Sequence, residues 1–176
     1  MYSGNFGNSH SFNTILDVAI KLKNYKLITI FLVGGGAQKA MIDSRIANED
    51  ISNIISLPWI NNNNFPESLA SADIALITMA NGTDDVMVPS KIYFSMAVRS
   101  ALIGITNGNS ELSNIINNYE CGIVVPPNNE ERLLDAILKL RGNPKLLERY
   151  KKNAYNAFKE NYTRTQMAIK YRNVLN

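Results

Sequence analysis

The chain has 176 residues, which is enough for one domain with a substantial hydrophobic core. Its 18 Lys and Arg against 15 Asp and Glu give a net charge of only +3, spread along the chain, which argues against a nucleic-acid binder that works by charge. A single cysteine (Cys121) and a single histidine (His10) argue against an internal disulfide framework and against a Cys- or His-based metal site. No apolar run reaches the ~18 residues of a membrane span.

Short apolar runs alternate with amphipathic stretches along the chain. The runs predict six strands, at residues 2–3, 27–33, 53–57, 73–79, 101–106 and 122–125. The stretches have helical spacing or helix-start residues and predict helices at 12–22, from the glycines at 34–36 to about 47, and at 66–72, 91–98, 110–119, 130–140, 144–159 and 164–175. This order predicts an α/β fold, a doubly wound, Rossmann-like parallel sheet of six strands with helices on both faces and further helices at the C-terminus.

Residues 1–176 would then form a single domain. Crossovers in such sheets are right-handed, so the strand-to-helix loops share one edge, and ligands bind outside the carboxyl ends of the strands. The search for function therefore narrows to six loops, at 4–10, 34–37, 58–64, 80–90, 106–110 and 126–129.

Two of these loops are rich in glycine. Gly4-Asn5-Phe6-Gly7 precedes a helix, where glycines let the backbone approach a ligand and helix amides can bind phosphate. An ordinary tight turn explains the same residues equally well. Gly34-Gly35-Gly36 could cradle a phosphate or sugar, or could simply let a strand and helix pack closely. Neither loop has the Gly-x-Gly-x-x-Gly fingerprint, which argues against a nicotinamide-binding dehydrogenase.

The segment Val88-Pro89-Ser90-Lys91-Ile92-Tyr93 is the strongest single signal at the predicted ligand edge. Ser90 is predicted to be an N-cap, so that the amides after it point outward, and Lys91 adds a cation beside them. Backbone amides together with an ammonium suit a diphosphate. A surface lysine in a Ser-capped helix is the plain alternative, and the residues alone slightly favour it.

Other polar and aromatic residues lie in the same set of loops. Asp84 and Asp85 could bind sugar hydroxyls or supply a base, although solvated loop charges are the commoner case. Glu111 opens a helix, where a carboxylate is favourable to the dipole in any event. Trp59 could stack on a base or pack under the neighbouring asparagines, and His10 could touch a phosphate.

Taken in order, these pieces resemble the C-terminal, donor-binding half of GT-B glycosyltransferases of glycosyltransferase family 4. The Pro-Ser-Lys variant at 89–91 is most similar to the branch that builds bacterial surface polysaccharides, including transferases similar to fucosamine transferases. The resemblance runs through nearly the whole chain, along segments 2–7, 31–36, 69–77, 88–93 and 122–127.

The resemblance implies a retaining, metal-independent transferase that needs no cofactor. It would move a sugar from a nucleotide-diphosphate sugar to a glycan or lipid-linked acceptor in polysaccharide biosynthesis. The implied catalytic residues are Lys91 at the diphosphate and Asp84 or Asp85 near the donor sugar, where the family keeps the first acid of its paired-glutamate motif. Trp59 would meet the base. The implied donor-binding residues are Gly4, Asn5, Gly7, Gly34, Gly35, Trp59, Pro89, Ser90, Lys91, Tyr93 and Glu111.

The sequence also departs from the family pattern. Phe94 stands in place of the second glutamate, and Arg99 stands where glycine is common. Asn5, Ser9 and His10 stand where basic residues usually follow the glycine loop. The N-terminal acceptor domain is missing, so we expect Met1 to be a start placed on a domain cut from a longer protein. Such a fragment should bind donor weakly and transfer no sugar.

Two alternatives stay open beside the transferase. One is a non-catalytic nucleotide-binding or interaction module, which the missing second glutamate makes credible. The other is half of a sugar-nucleotide 2-epimerase, although such enzymes are expected to use more acidic and histidine residues. No leader or signal-like stretch is present, so we expect a cytoplasmic protein, with peripheral contact to the inner membrane surface allowed by its mild positive charge.

Overall fold

The computed structural model describes residues 1–8, 10–79 and 88–175. The described strands are β1 (Tyr2–Asn5), β2 (Ile30–Gly35), β3 (Ile54–Leu57), β4 (Ile74–Thr78), β5 (Ala101–Ile105) and β6 (Gly122–Val125). The described helices are α1 (Phe12–Lys21), α2 (Lys39–Asn48), α3 (Phe65–Ala70), α4 (Lys91–Ala97), α5 (Glu111–Asn118), α6 (Glu130–Gly142), α7 (Pro144–Asn161) and α8 (Arg164–Leu175).

The predicted α/β architecture with parallel strands is confirmed. The strands form two three-stranded parallel sheets, β1-β2-β3 and β4-β5-β6, where one continuous sheet was predicted. The two sheets meet at Met1, whose backbone nitrogen donates to Ile74 O at 2.7 Å and whose carbonyl accepts from Leu76 N at 2.8 Å. This seam places β1 beside β4, so the carboxyl ends of all six described strands share one edge.

The boundaries of β2 differ most from the prediction. The apolar run begins at Leu27, yet the strand begins at Ile30, because the chain first turns, with Ile28 N donating to Tyr25 O at 2.9 Å. Leu27 is 78% exposed in that turn. At the other end the strand continues through Gly34 and Gly35, which pair with Gly4 and Asn5 of β1.

Two hydrophobic clusters pack against the strands. The first includes residues of all six described strands together with α1 and α6, and the second packs β4 and β5 against α4, α5 and α7 on the opposite face. Neighbouring residues of β4 alternate between them, since Leu76 points into the first cluster and Ala75 and Ile77 into the second. Alternate residues of one strand thus belong to cores on opposite faces.

The described helices differ in how their ends are capped. Side-chain oxygens cap α5, α6 and α7, with Ser110, Asn129 and Asn143 each accepting from the amide three residues on. The N-cap residues of α1 to α4 make no such bond. At their C-termini, α2, α4 and α5 are each followed by a left-handed residue that is not glycine, namely Asp50, Arg99 and Glu120, with φ of 49°, 63° and 45°.

Candidate functional site

The carboxyl edge brings Lys91, the first residue of α4, onto Gly4 of β1. The Lys91 ammonium lies 3.0 Å from the point that a Cβ on Gly4 would occupy, and Gly4 has a φ of 150°. Two predicted site segments that are 87 residues apart in sequence therefore meet at one place. A Cβ at position 4 would crowd the ammonium and force it to shift, so the glycine leaves room for it.

The charge of Lys91 has no anionic partner among the described residues. Burial lowers the pKa of this lysine from 10.5 to about 8. Its described hydrogen bond goes to the Tyr2 hydroxyl at 2.9 Å, and the ammonium also lies 4.0 Å from the centroid of that ring. The site therefore holds a partly desolvated cation that an anion would stabilise.

His10 lies at the same edge and does not add a second charge at neutral pH. Its Nδ1 is 2.7 Å from Thr78 Oγ1 at the end of β4. Burial, and to a smaller extent the nearby Lys91 ammonium, lower the pKa of His10 below 6.5. Lys91 is thus the group that carries positive charge in this cluster at pH 7.

The glycine loop is held in place by α2. Gln38 Nε2 donates to the carbonyls of Gly7 and His10, at 2.6 and 3.0 Å. Its backbone nitrogen donates to Phe6 O at 3.0 Å. Sequence reasoning did not select Gln38, because nothing in the sequence shows that a residue 31 positions later reaches this loop.

Gly34 and Gly35 have different roles. A Cβ on Gly34 would overlap the carbonyl oxygen of Gly4, so this glycine serves close strand packing. A Cβ on Gly35 would lie 2.9 Å from Trp59 Nε1, so the indole covers the end of β2. Trp59 is 62% exposed there and presents an aromatic surface at the predicted ligand edge.

The geometry at Ser90 differs from the predicted side-chain cap with outward-pointing amides. It occupies the N-cap position of α4, but its side chain makes no capping bond, because its backbone is already helical with φ −55° and ψ −25°. The amides of Ile92 and Tyr93 donate instead to Pro89 O and Ser90 O, at 3.0 and 3.1 Å. These amides do not point outward toward a ligand, so Lys91 is the functional feature of this segment that the described geometry supports.

Tyr93 and Glu111 belong to a different neighbourhood from the Gly4–Lys91 pair in the described contacts. The Tyr93 ring packs on Tyr162 with centroids 4.7 Å apart. Burial and the charge of Glu111 raise the pKa of Tyr93. Glu111 is exposed and accepts from Asn114 Nδ2 at 3.3 Å.

The remaining predicted residues have mixed outcomes. Asp84 and Asp85 lie outside the described residues, as does Ser9. Phe94 is 52% exposed and contacts Phe65 edge-on at 5.9 Å, beside Lys91 in a cavity that both phenylalanines line. An apolar ring therefore stands at the position where the resemblance implies a second glutamate.

The described residues contain no group of three or more His, Cys, Asp and Glu side chains placed to hold a metal ion. Within the same ranges, no helix has both the length and the apolar character needed to cross a bilayer.

Comparison with known proteins gives a consistent result. "Probable glycosyltransferase WbjE" of Pseudomonas aeruginosa is 31% identical over 145 residues, 79% of this chain and 35% of that protein. WcaI of Escherichia coli, named for colanic acid biosynthesis as a glycosyl transferase, is 25% identical over 138 residues, 78% of this chain and 34% of that protein. The crystal structure of Anabaena HepE in complex with UDP matches 99% of this chain and 47% of that chain, with a TM-score of 0.83 and 11% identity.

The chain spans about a third of the length of the curated relatives it matches. The model of the family "Glycosyl transferases group 1" matches residues 1–157, which include all six described strands. With the parallel α/β architecture, this match shows that the chain belongs to the glycosyl transferases group 1 family, with the fold of the C-terminal half of a GT-B glycosyltransferase.

Proposed function

We propose that this chain is the donor-binding domain of a retaining, metal-independent glycosyltransferase. In this proposal the domain, residues 1–176, binds a nucleotide-diphosphate sugar at the carboxyl edge of its strands. A second domain of the parent protein supplies the glycan or lipid-linked acceptor. The name of WcaI supports polysaccharide biosynthesis as the process, and the UDP bound in HepE supports a nucleoside diphosphate as the ligand.

The observation that carries the proposal is the Lys91 ammonium above Gly4. It is partly buried, has no described carboxylate beside it, and meets a strand end where the backbone is bare of side chains. A diphosphate placed there would gain a charge-assisted hydrogen bond and would compensate a cation that burial destabilises. As the sugar departs, negative charge grows on the diphosphate, and a fixed cation stabilises that charge more in the transition state than in the ground state.

Lys91 would thus provide the electrostatic stabilisation that a metal ion provides in other transferases. The exposed indole of Trp59 at the end of β2 would meet the base. Asp84 or Asp85 would lie near the donor sugar. We place the protein in the cytoplasm, with peripheral contact to the inner membrane surface. The chain by itself is expected to transfer no sugar, since the acceptor is bound elsewhere.

Calorimetric titration of UDP, GDP and NAD into the chain tests the proposal. We expect UDP or GDP to bind and NAD not to bind. Lys91→Ala should weaken binding by about tenfold or more, because a hydrogen bond to a charged group is lost. Lys152→Ala, at an exposed position on α7, is the matched control and should leave the affinity unchanged. Absence of nucleoside diphosphate binding, or equal affinity of the Lys91→Ala protein, would contradict the proposal.

A further inference from the structure

Tyr2 is a core residue whose hydroxyl reaches the site. Its side chain is fully buried, and its ring packs against Phe6 and Phe12 with centroid distances of 5.8 and 4.9 Å. Phe6 and Phe12 also pack on each other, with centroids 5.0 Å apart, so the Tyr2 ring is part of one aromatic cluster in the core. The hydroxyl at its tip therefore has a position that the core determines, unlike a polar group on a flexible side chain.

The hydroxyl makes one hydrogen bond within β1 and one to α4, and it also interacts with the Thr78 side chain at the end of β4. It donates to Asn5 O at 2.7 Å and accepts from Lys91 Nζ at 2.9 Å. The donated bond uses the single phenolic proton, so the oxygen is left as an acceptor for the ammonium. The ring face, 4.0 Å from the ammonium to the centroid, adds a second favourable contact for the same cation.

This arrangement holds the lysine without neutralising it. Burial raises the pKa of Tyr2 to about 12, so the phenol keeps its proton and stays uncharged. A carboxylate in the same place would form an ion pair and compete with an anionic ligand. A neutral acceptor orders the four-carbon lysine side chain and leaves its charge available to the ligand.

We propose that Tyr2 is a positioning residue that holds the Lys91 ammonium above Gly4 in readiness for the diphosphate. The inference rests on the proposed function and goes beyond it, since it assigns part of the affinity to a residue that the ligand does not contact. Ordering the lysine before binding removes an entropic cost that would otherwise weaken the complex.

Tyr2→Phe is the informative change, because it keeps the packed ring and removes only the hydroxyl. We expect it to weaken nucleoside diphosphate binding about tenfold in a chain that retains Lys91. In a Lys91→Met background the same change should have no effect on the remaining affinity, because no ammonium is left to position. An equal loss in both backgrounds, or no loss in either, would overturn the proposal.

Two further measurements distinguish a failure of the Tyr2 proposal from a failure of the proposed function. Tyr150→Phe, which removes a hydroxyl from a tyrosine at the edge of the first core cluster, is the control and should leave affinity unchanged. A crystal structure of the ligand-free Tyr2→Phe protein should show the ammonium displaced from Gly4. If it stays in place, the proposal is wrong whether or not the chain binds a nucleotide. If the wild type binds none and the ammonium still moves, only the proposed function fails.

Discussion

The loops at the carboxyl edge fall into two groups. After β5 and β6, the chain satisfies the next helix itself, with Ser110 Oγ accepting from Ser113 N at 3.1 Å and Asn129 Oδ1 from Arg132 N at 2.9 Å. After β1, β2 and β4, the N-cap residue of the following helix makes no side-chain capping bond.

The same uncapped group contains the bare glycine backbone and the cation without a described anionic partner. Where the chain supplies its own partners, the loop serves stability. Where a cation has no anionic partner among the described residues, the loop is suited to an anionic ligand, and the ligand-free protein is less stable for it.

The largest expected effect comes from substituting a glycine in the uncapped group of loops, compared with a glycine in the capped group. Gly34→Ala, at the end of β2, should destabilise the fold by about 3 kcal/mol or more, because the new Cβ would overlap the Gly4 carbonyl and the position has a φ of 138°. Gly108→Ala, after β5, has nothing within 4 Å of its Cβ and should change the free energy of unfolding by less than about 1 kcal/mol. Urea unfolding measures both, and similar losses would break the comparison.

The charge of Lys91 should give stability and diphosphate affinity pH dependences of opposite sign. Its pKa is about 8 in the folded chain against 10.5 for the ordinary side chain, so the unfolded state binds more protons between these values. The contribution of Lys91 to the free energy of unfolding therefore rises with pH across that window. Diphosphate affinity should fall as pH rises beyond about 8, because the ammonium is lost.

Lys91→Met is the control for both trends. Unfolding at pH 7 and pH 10, and calorimetric titration at the same two values, should show the difference between wild type and variant changing with pH. Because other titrating groups are common to both proteins, that difference isolates Lys91. A difference that is independent of pH would mean that this lysine is not desolvated.

A smaller effect concerns the caps themselves. Asn129→Ala should cost about 1 kcal/mol of stability, because the amide of Arg132 loses its acceptor. Ser11→Ala, at the N-cap position of α1, should cost no more than about 0.3 kcal/mol, since that side chain makes no capping bond. Thermal and urea unfolding of the pair would show whether the two groups of helix ends differ in energy as they differ in geometry.

The smallest effect lies at the far end of α4. Arg99 has a φ of 63°, a left-handed conformation after the helix that glycine adopts without strain. Arg99→Gly should stabilise the chain by about 0.5–1 kcal/mol, whereas Arg99→Ala, which keeps a Cβ, should not. Equal melting temperatures for the two variants would show that backbone strain at this position is negligible.

Sequence periodicity was sufficient for most of the fold. The bounds of β6 and α8 match the prediction, and the alternation of strands and helices led to the correct parallel arrangement. The start of β2 was wrong because the apolar run from Leu27 continues across a turn that periodicity cannot detect. The seam at Met1 was also missed, since strand pairing depends on contacts that are distant in sequence.

The site could be predicted only as far as topology fixes it. Topology places the loops of Gly4 and Lys91 at one edge, and the family resemblance implied that both face one diphosphate; the structure brings the two residues together. Tyr2, Gln38 and Thr78 were not selected, because their roles depend on how far individual side chains reach across strands. The cap predicted for Ser90 failed on backbone angles that residue type does not determine.

The seam between the two sheets has one further consequence. Met1 joins them through two backbone hydrogen bonds, and the site spans this junction, with Tyr2 on one side and Thr78 on the other. A ligand that contacts both β1 and β4 would link the two sheets and stabilise the junction between them. Amide hydrogen exchange along β1 and β4 should then slow upon nucleotide binding, while β3 and β6, at the outer margins, keep the rates of the free protein.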